Sequence, residues 1–299
     1  MKAAAHLVTF LCFSLAHCAQ AQVAPAASSS QAAAQEAMVL IHGATFQMGI
    51  EAADIPRFQK IFAIENPQLF LDELPRHTVT VKDFYIDKYL VTNRDFQRFV
   101  AANPKWGLGG PPSESAREDH SLVHGSSPGA ASTQLNHPVV NITWYEAAAF
   151  CQWRGKRLPS EAEWEFAARG GQPVLFPWGD EPADAKRANF ASNIGTTTPV
   201  DSYPPNRYGL FDMAGNVWQF LADRWAPYRR TTAKSAKGPG LSEERSAGQA
   251  ISLPEPRRVI RGGSFAGHAV NLWVEYRDSH APNNPREYVG FRCAKSAPN

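Results

Sequence analysis

Cysteine is scarce in this chain: four among 299 residues, at positions 12, 18, 151 and 293. No CxxC pair occurs, and no Cys/His pair has the spacing of a zinc site, so a structural zinc centre is not expected. Long apolar runs are missing too. The longest, Leu7 to Ala16 ("LVTFLCFSLA"), is too short to cross a bilayer as a helix. Neither charge sign dominates: 30 Lys and Arg stand against 28 Asp and Glu, with no basic run of five or six. That excludes the usual electrostatic footprint of a nucleic-acid binder. What remains is ordinary globular composition, 43% hydrophobic and 19% charged, in a length that suits one domain.

The N-terminus has the pattern of an export signal. Lys2 precedes the apolar run, and Ala19-Gln20-Ala21 fits the small-x-small cleavage rule, so residues 1–21 are expected to be removed. A lipoprotein reading, with Cys18 as the lipidated residue, is disfavoured by His17 before it. The Ala/Ser/Gln-rich residues 22–36 read as a disordered leader. Cleavage leaves Cys151 and Cys293. Two cysteines in an exported protein usually pair, and the alternative is a reactive thiol.

Met38 to Ile41, Ala44 to Met48 and His77 to Tyr85 read as strands, the last because it alternates and places Val79 and Val81 on one face. Three helices announce themselves by one device. Thr92, Thr143 and Ser160 each stand three residues before an acid, Asp95, Glu146 and Glu163, and can cap a free backbone N–H. Phe96, Phe99 and Val100 give the first helix an apolar face; Trp164, Phe166 and Ala167 do so for the third. After Gly171 the chain is turn chemistry with many aromatics. Residues 104–136 and 226–256 read as surface insertions, and no internal repeat is visible.

Six blocks in order carry more information: "VLIHGATFQMG" (39–49), "HPVVNITWYEAAAFCQWRGKRLPSEAEWEFAARGG" (137–171), "FPWGD" (176–180), "VDSYPPNRYGLFDMAGNVWQF" (200–220), "RGGSF" (261–265) and "GFRCA" (290–294). Together they resemble the sulfatase-modifying-factor family of the formylglycine-generating-enzyme type, over residues 37–299. The resemblance implies an α+β fold: a single compact, loop-rich domain with little regular secondary structure, related to C-type lectin folds. It implies a Cys151–Cys293 disulfide and structural calcium. One calcium site would use the side chains of Asn189 and Asp201 and the carbonyls of Phe190 and Tyr203. A second would use Asp212, the carbonyls of Gly215 and Val217, and Gln219, where the family usually has Glu. Loss of that charge predicts a weak second site or none. Without the resemblance, Asn189 and Asp201 read as turn caps.

The family's founding enzymes oxidise a sulfatase cysteine with copper held by two thiolates. Those two positions fall on Gly267 and near Leu272 here. No cysteine lies between Ser264 and Cys293, so copper(I), which needs soft ligands, is not expected, and neither is formylglycine formation. The remaining chemical candidates are Ser264, His268, Trp273, Glu275, Arg277, Asp278 and His280, with Trp218 as a pocket wall or a core aromatic. The histidines with Glu275 or Asp278 offer a harder-metal site or plain pocket residues. Arg277 offers a bidentate grip on a substrate carboxylate or a structural salt bridge. Ser264 lies in no nucleophile elbow, which argues against a Ser–His–Asp triad.

Two functions follow as expectations. The first is an exported maturation or accessory enzyme, oxidative in one version, similar to the family's periplasmic enzyme of pyoverdine maturation. The alternative is a non-catalytic accessory protein that presents the lectin-like scaffold to a partner protein. The expected setting is the periplasm or the secreted fraction, with a protein or small-molecule partner, no nucleic acid, and a monomeric state.

Overall fold

His77 to Tyr85 does not form one strand. In the computed structural model, which describes residues 37–106, 133–229 and 256–298, it is split between two sheets. Strand β1 (Met38–Ile41) pairs antiparallel with β4 (Phe84–Asp87), and β2 (Thr45–Met48) pairs with β3 (His77–Thr80). The ladder breaks where His42–Ala44 faces Val81–Asp83. Gly43 makes the break possible: a Cβ there would lie 2.1 Å from the Val81 carbonyl oxygen. Its N–H donates to Asp83 Oδ1 at 2.8 Å, and Val81 N–H donates to the Ala44 carbonyl at 3.0 Å. The alternating pattern runs through the break unchanged, so it reports extended chain on both sides without showing the bend between them.

Helix α1 (Ile55–Phe62) carries Pro in its first turn and has no counterpart among the sequence expectations. The three expected helices form: α2 (Asn93–Ala102), α3 (Trp144–Trp153) and α4 (Glu161–Ala168). Thr143 and Ser160 make full capping boxes, with Glu146 and Glu163 accepting from the cap N–H groups at 2.7 and 2.8 Å. Asp95 is one methylene shorter. It accepts from the Thr92 hydroxyl at 2.6 Å, and no box closes. Phe96 and Phe99 of α2 pack on Phe150 of α3, which meets Phe291 edge-on.

A third, four-stranded sheet has the order β7-β6-β5-β8, built from β5 (Trp218–Arg224), β6 (Arg258–Arg261), β7 (Arg277–His280) and β8 (Val289–Gly290). Strand β9 (Ala294–Ser296) joins β4 on the first sheet. The Cys151–Cys293 disulfide ties α3 to the residue before β9 across a sequence separation of 142. Residues 172–217 hold neither helix nor strand, so side-chain amides organise them. Asn206 donates to the Ala167 and Ala168 carbonyls that end α4 and accepts from the backbone N–H of Tyr208 and Leu210. The result is the loop-rich α+β architecture expected. The expected signal segment 1–21, the expected leader 22–36, Cys12, Cys18 and most of the two expected insertions lie outside the described residues.

Candidate functional site

Strand β6 ends in Arg261, and two glycines follow in left-handed conformation, Gly262 at φ 94° and Gly263 at φ 71°. A Cβ on Gly262 would press against Trp164, and one on Gly263 against the Asn271 backbone. The "RGGSF" turn is therefore a packing device first. Ser264 is buried behind it. Phe265 N–H donates to the Asn216 carbonyl at 2.9 Å, and the Phe265 and Gly267 carbonyls accept from Ser192 and Ala191. A short 3-10 turn at Ala269–Leu272 leads into β7.

The chemical candidates of this stretch do not converge. His268 is exposed and caps the 3-10 turn. His280 is buried against Phe220, and its Nε2 is 2.7 Å from the Asn284 carbonyl. Burial lowers the His280 pKa and so favours the neutral ring. Among the described residues no group of three or more His, Cys, Asp or Glu is arranged to hold a metal ion. The proposed imidazole–carboxylate site is thus not formed. Trp273 is fully buried, 4.3 Å from the Phe58 ring of α1, in a cluster with Phe62 and Phe70. Trp218 is likewise buried, 6.1 Å from the Tyr276 ring. Asp278 accepts from the N–H of Ser279 at 2.6 Å.

Arg277 takes the structural alternative. Its Nε and Nη2 donate to the two carboxylate oxygens of Glu161 at 2.8 and 2.9 Å, a bidentate pair. Its Nη1 donates to the carbonyls of Asp72 and Ala226, and its guanidinium sits over the Trp225 and Tyr228 rings. It is 3% exposed. A substrate carboxylate would have to displace Glu161, which also accepts from the Tyr228 hydroxyl at 3.0 Å.

Arg277 belongs to a larger ionic layer between α4 and the four-stranded sheet, which the sequence reading did not contain. Arg261 pairs with Glu165 and donates to the Glu275 and Tyr276 carbonyls; Arg169 bridges Glu165 and Glu275 at 2.7 and 2.8 Å. Glu73 accepts from the Arg277 N–H at 3.1 Å, and burial pushes its carboxyl up to about 8. Burial and the neighbouring Glu161 charge push Asp223 up to about 6. Burial also raises Glu275, whose Oε2 has no hydrogen-bond partner. Glu161 and Glu165 are visible in the sequence only as members of a helix; apart from Arg169, one turn from Glu165, their arginine partners lie about a hundred residues away.

The calcium ligand sets were tested against the same geometry. Asn189 is fully buried. Its Nδ2 donates to the Thr196 carbonyl at 2.8 Å, while Oδ1 has no partner. An oriented oxygen of this kind suits a hard cation, and Asp201 is exposed. Asn189, Asp201 and the Phe190 and Tyr203 carbonyls would hold the ion, and it would supply a cross-link between loops. Asp212 also has a buried oxygen without a partner, Oδ2, and burial pushes its carboxyl up to about 7. Asn216 links the two regions: its N–H donates to the Asn189 carbonyl, and its side chain bonds the Thr198 backbone and Asp212.

Beside Phe265 lies a cleft of about 250 Å³, with Asn93, Asn141, Thr197, Phe265 and Glu287 in its walls. Its polar lining comes from four separate segments, and no local sequence signal marks it.

Comparison with known proteins agrees with this frame. The sulfatase-modifying factor enzyme 1-like domain model matches residues 23–297. A formylglycine-generating enzyme of Mus musculus is 34% identical over 276 residues, covering 77% of this chain and 71% of that protein. The inactive C-alpha-formylglycine-generating enzyme 2 of the same species is 32% identical over 307 residues, covering 87% and 86%. The solved structure of PvdO from Pseudomonas aeruginosa superimposes with a TM-score of 0.63 at 26% identity, covering 87% of this chain and 94% of that one. Motif order, fold and relatives agree: this chain belongs to the sulfatase-modifying-factor family.

Proposed function

We propose that this chain is an exported accessory member of the family that acts by binding a partner protein, with the cleft beside Phe265 as its recognition surface. One observation carries the reading. The positions where the family's thiol chemistry would sit fall on Gly267 and near Leu272, and Arg277, further along the same stretch of chain, is committed to Glu161. Asn93, Asn141, Thr197 and Glu287 give the cleft polar walls, which suit a peptide chain better than a redox metal. Similarity to a relative named as inactive supports the same reading. Export rests on residues 1–21, and no helix among the described residues is long and apolar enough to cross a membrane.

A photo-reactive amino acid in place of Glu287 tests this in cells. One defined cross-linked partner is expected, and Thr197→Trp, which fills the cleft, should abolish the adduct. An adduct indifferent to Thr197→Trp would remove the cleft from the reading. Conversion of a sulfatase-motif peptide to an aldehyde by the purified chain would overturn it altogether. N-terminal mass analysis of the exported protein should find a mature start near Gln22.

Glu275 favours a second reading, a maturation enzyme using chemistry other than thiolate and copper. Its raised pKa and unpartnered Oε2 suit a proton donor or acceptor. If so, Glu275→Gln would abolish the biological effect while leaving folding and cross-linking intact.

A further inference from the structure

We infer that the Gln219 carboxamide closes the 212–219 turn with a hydrogen bond where the second calcium ion is expected, so that this chain binds calcium at the Asn189 site alone. The argument rests on which end of the amide faces which group. Gln219 is fully buried. On one side it meets Trp164 Nε1 at 2.9 Å and Arg292 Nε at 2.7 Å. An indole N–H and a guanidinium N–H can only donate, so this end must be the oxygen. On the other side it meets the Asp212 carbonyl at 2.9 Å, which can only accept, so this end must be the NH₂ group. The chemistry of the neighbours thus fixes an orientation that density alone often leaves open.

The consequence is local and specific. The arm directed at the turn carries two N–H hydrogens and no available lone pair, the wrong polarity for a cation. The oxygen that might have served is already shared between two donors. Arg292, fully buried, adds a full positive charge at the same place: its Nη2 donates to the Phe211 and Asp212 carbonyls at 2.6 and 3.1 Å. A divalent ion would have to settle beside that guanidinium with Asp212, Gly215 and Val217 as its remaining protein ligands. Calcium takes six to eight oxygens and gains most from carboxylates. At the Asn189 site none of these obstacles applies, because Asn189 Oδ1 faces no donor.

The test counts ions on the full exported chain, stripped with chelator and titrated with calcium alone by calorimetry and atomic emission. One ion per chain is expected, lost in Asn189→Ala and in the rim variant Asp201→Asn, and kept in Asp212→Asn. Gln219→Glu restores a carboxylate arm facing the turn and should raise the count to two. Its thermal midpoint should then depend on calcium more steeply than wild type; failure to fold without calcium, with rescue on adding it, counts as the same result. Two ions in wild type, with one lost in Asp212→Asn, overturn the inference. So does an ion count of zero, or a Gln219→Glu protein that stays at one. These outcomes are separate from the cross-linking test of the binding function, which does not depend on the number of ions.

Discussion

Arg277→Met is the sharpest test of whether this arginine works on a ligand or on structure. In this chain the side chain makes a bidentate pair with Glu161 and donates to two backbone carbonyls, at 3% exposure. Methionine fills much of the volume but leaves Glu161 buried with the Tyr228 hydroxyl and the more distant Arg261 Nε as its remaining polar company. Removing one partner of a buried pair costs about 3–5 kcal/mol, because the surviving charge stays desolvated. At about 2–4 °C per kcal/mol for a domain of this size, the thermal midpoint should fall by roughly 10 °C. Glu161→Gln alone should also destabilise. The double variant should recover part of the sum, giving a coupling of about 1–3 kcal/mol in a double-mutant cycle. Urea unfolding followed by circular dichroism, under oxidising conditions that keep the disulfide, measures all four corners. An Arg277→Met protein with wild-type stability that has lost partner cross-linking would refute the reasoning. It would mean that the arginine is available to a ligand.

Three further outcomes are expected. Replacing Cys151 and Cys293 by Ser opens a loop with a sequence separation of 142 and should lower stability by about 5 kcal/mol in the chain-entropy account, measured by urea midpoint against the oxidised wild type. Thr143→Ala removes the hydroxyl half of the α3 capping box and should cost about 1 kcal/mol, while Thr143→Ser should cost much less. Glu73 sets a pH slope. Its folded pKa of about 8 lies above the ordinary 4.5, so the folded chain keeps a proton that the unfolded chain has released. Stability from this source is complete below pH 4.5 and falls as pH rises to about 8, by at most about 1.4 kcal/mol per pH unit. Glu73→Gln should flatten the stability profile between pH 5 and 8; parallel profiles would show that Glu73 is ionised in the folded protein.

The parts of this fold that were legible in the sequence are those encoded within a few residues. The hydroxyl–acid spacing at Thr92, Thr143 and Ser160 located three helix starts to the residue. The cysteine count and the family resemblance together pointed to the one disulfide. Helix α1 was not read, although Phe58 and Phe62 have helical spacing, because no hydroxyl stands at its cap, where Asp54 makes no side-chain capping bond. The break at Val81–Asp83 was hidden because it depends on Gly43, some forty residues earlier in the chain. The ionic layer was beyond reach for the same reason at greater distance. Arg277 and Glu161 are separated by 116 positions, and no local pattern distinguishes a ligand-binding arginine from one that a helix has already claimed.

That difference bears on how the family motif should be read. In "RGGSF" four of the five residues have a packing task that needs no substrate. Arg261 satisfies the Glu275 and Tyr276 carbonyls and pairs with Glu165; Gly262 clears Trp164; Gly263 clears the Asn271 backbone; Phe265 bonds to Asn216. The motif can therefore persist wherever the scaffold persists, whatever happens to the thiols beyond it. In this chain those thiol positions fall on Gly267 and near Leu272, and Leu272 and the neighbouring Trp273 are buried in the core. Restoring cysteines at these two places would not rebuild a copper site, because the second would sit in the aromatic core with no access to solvent or substrate. The loss of the thiol pair is thus matched by the packing of this segment against α1, where Trp273 meets Phe58.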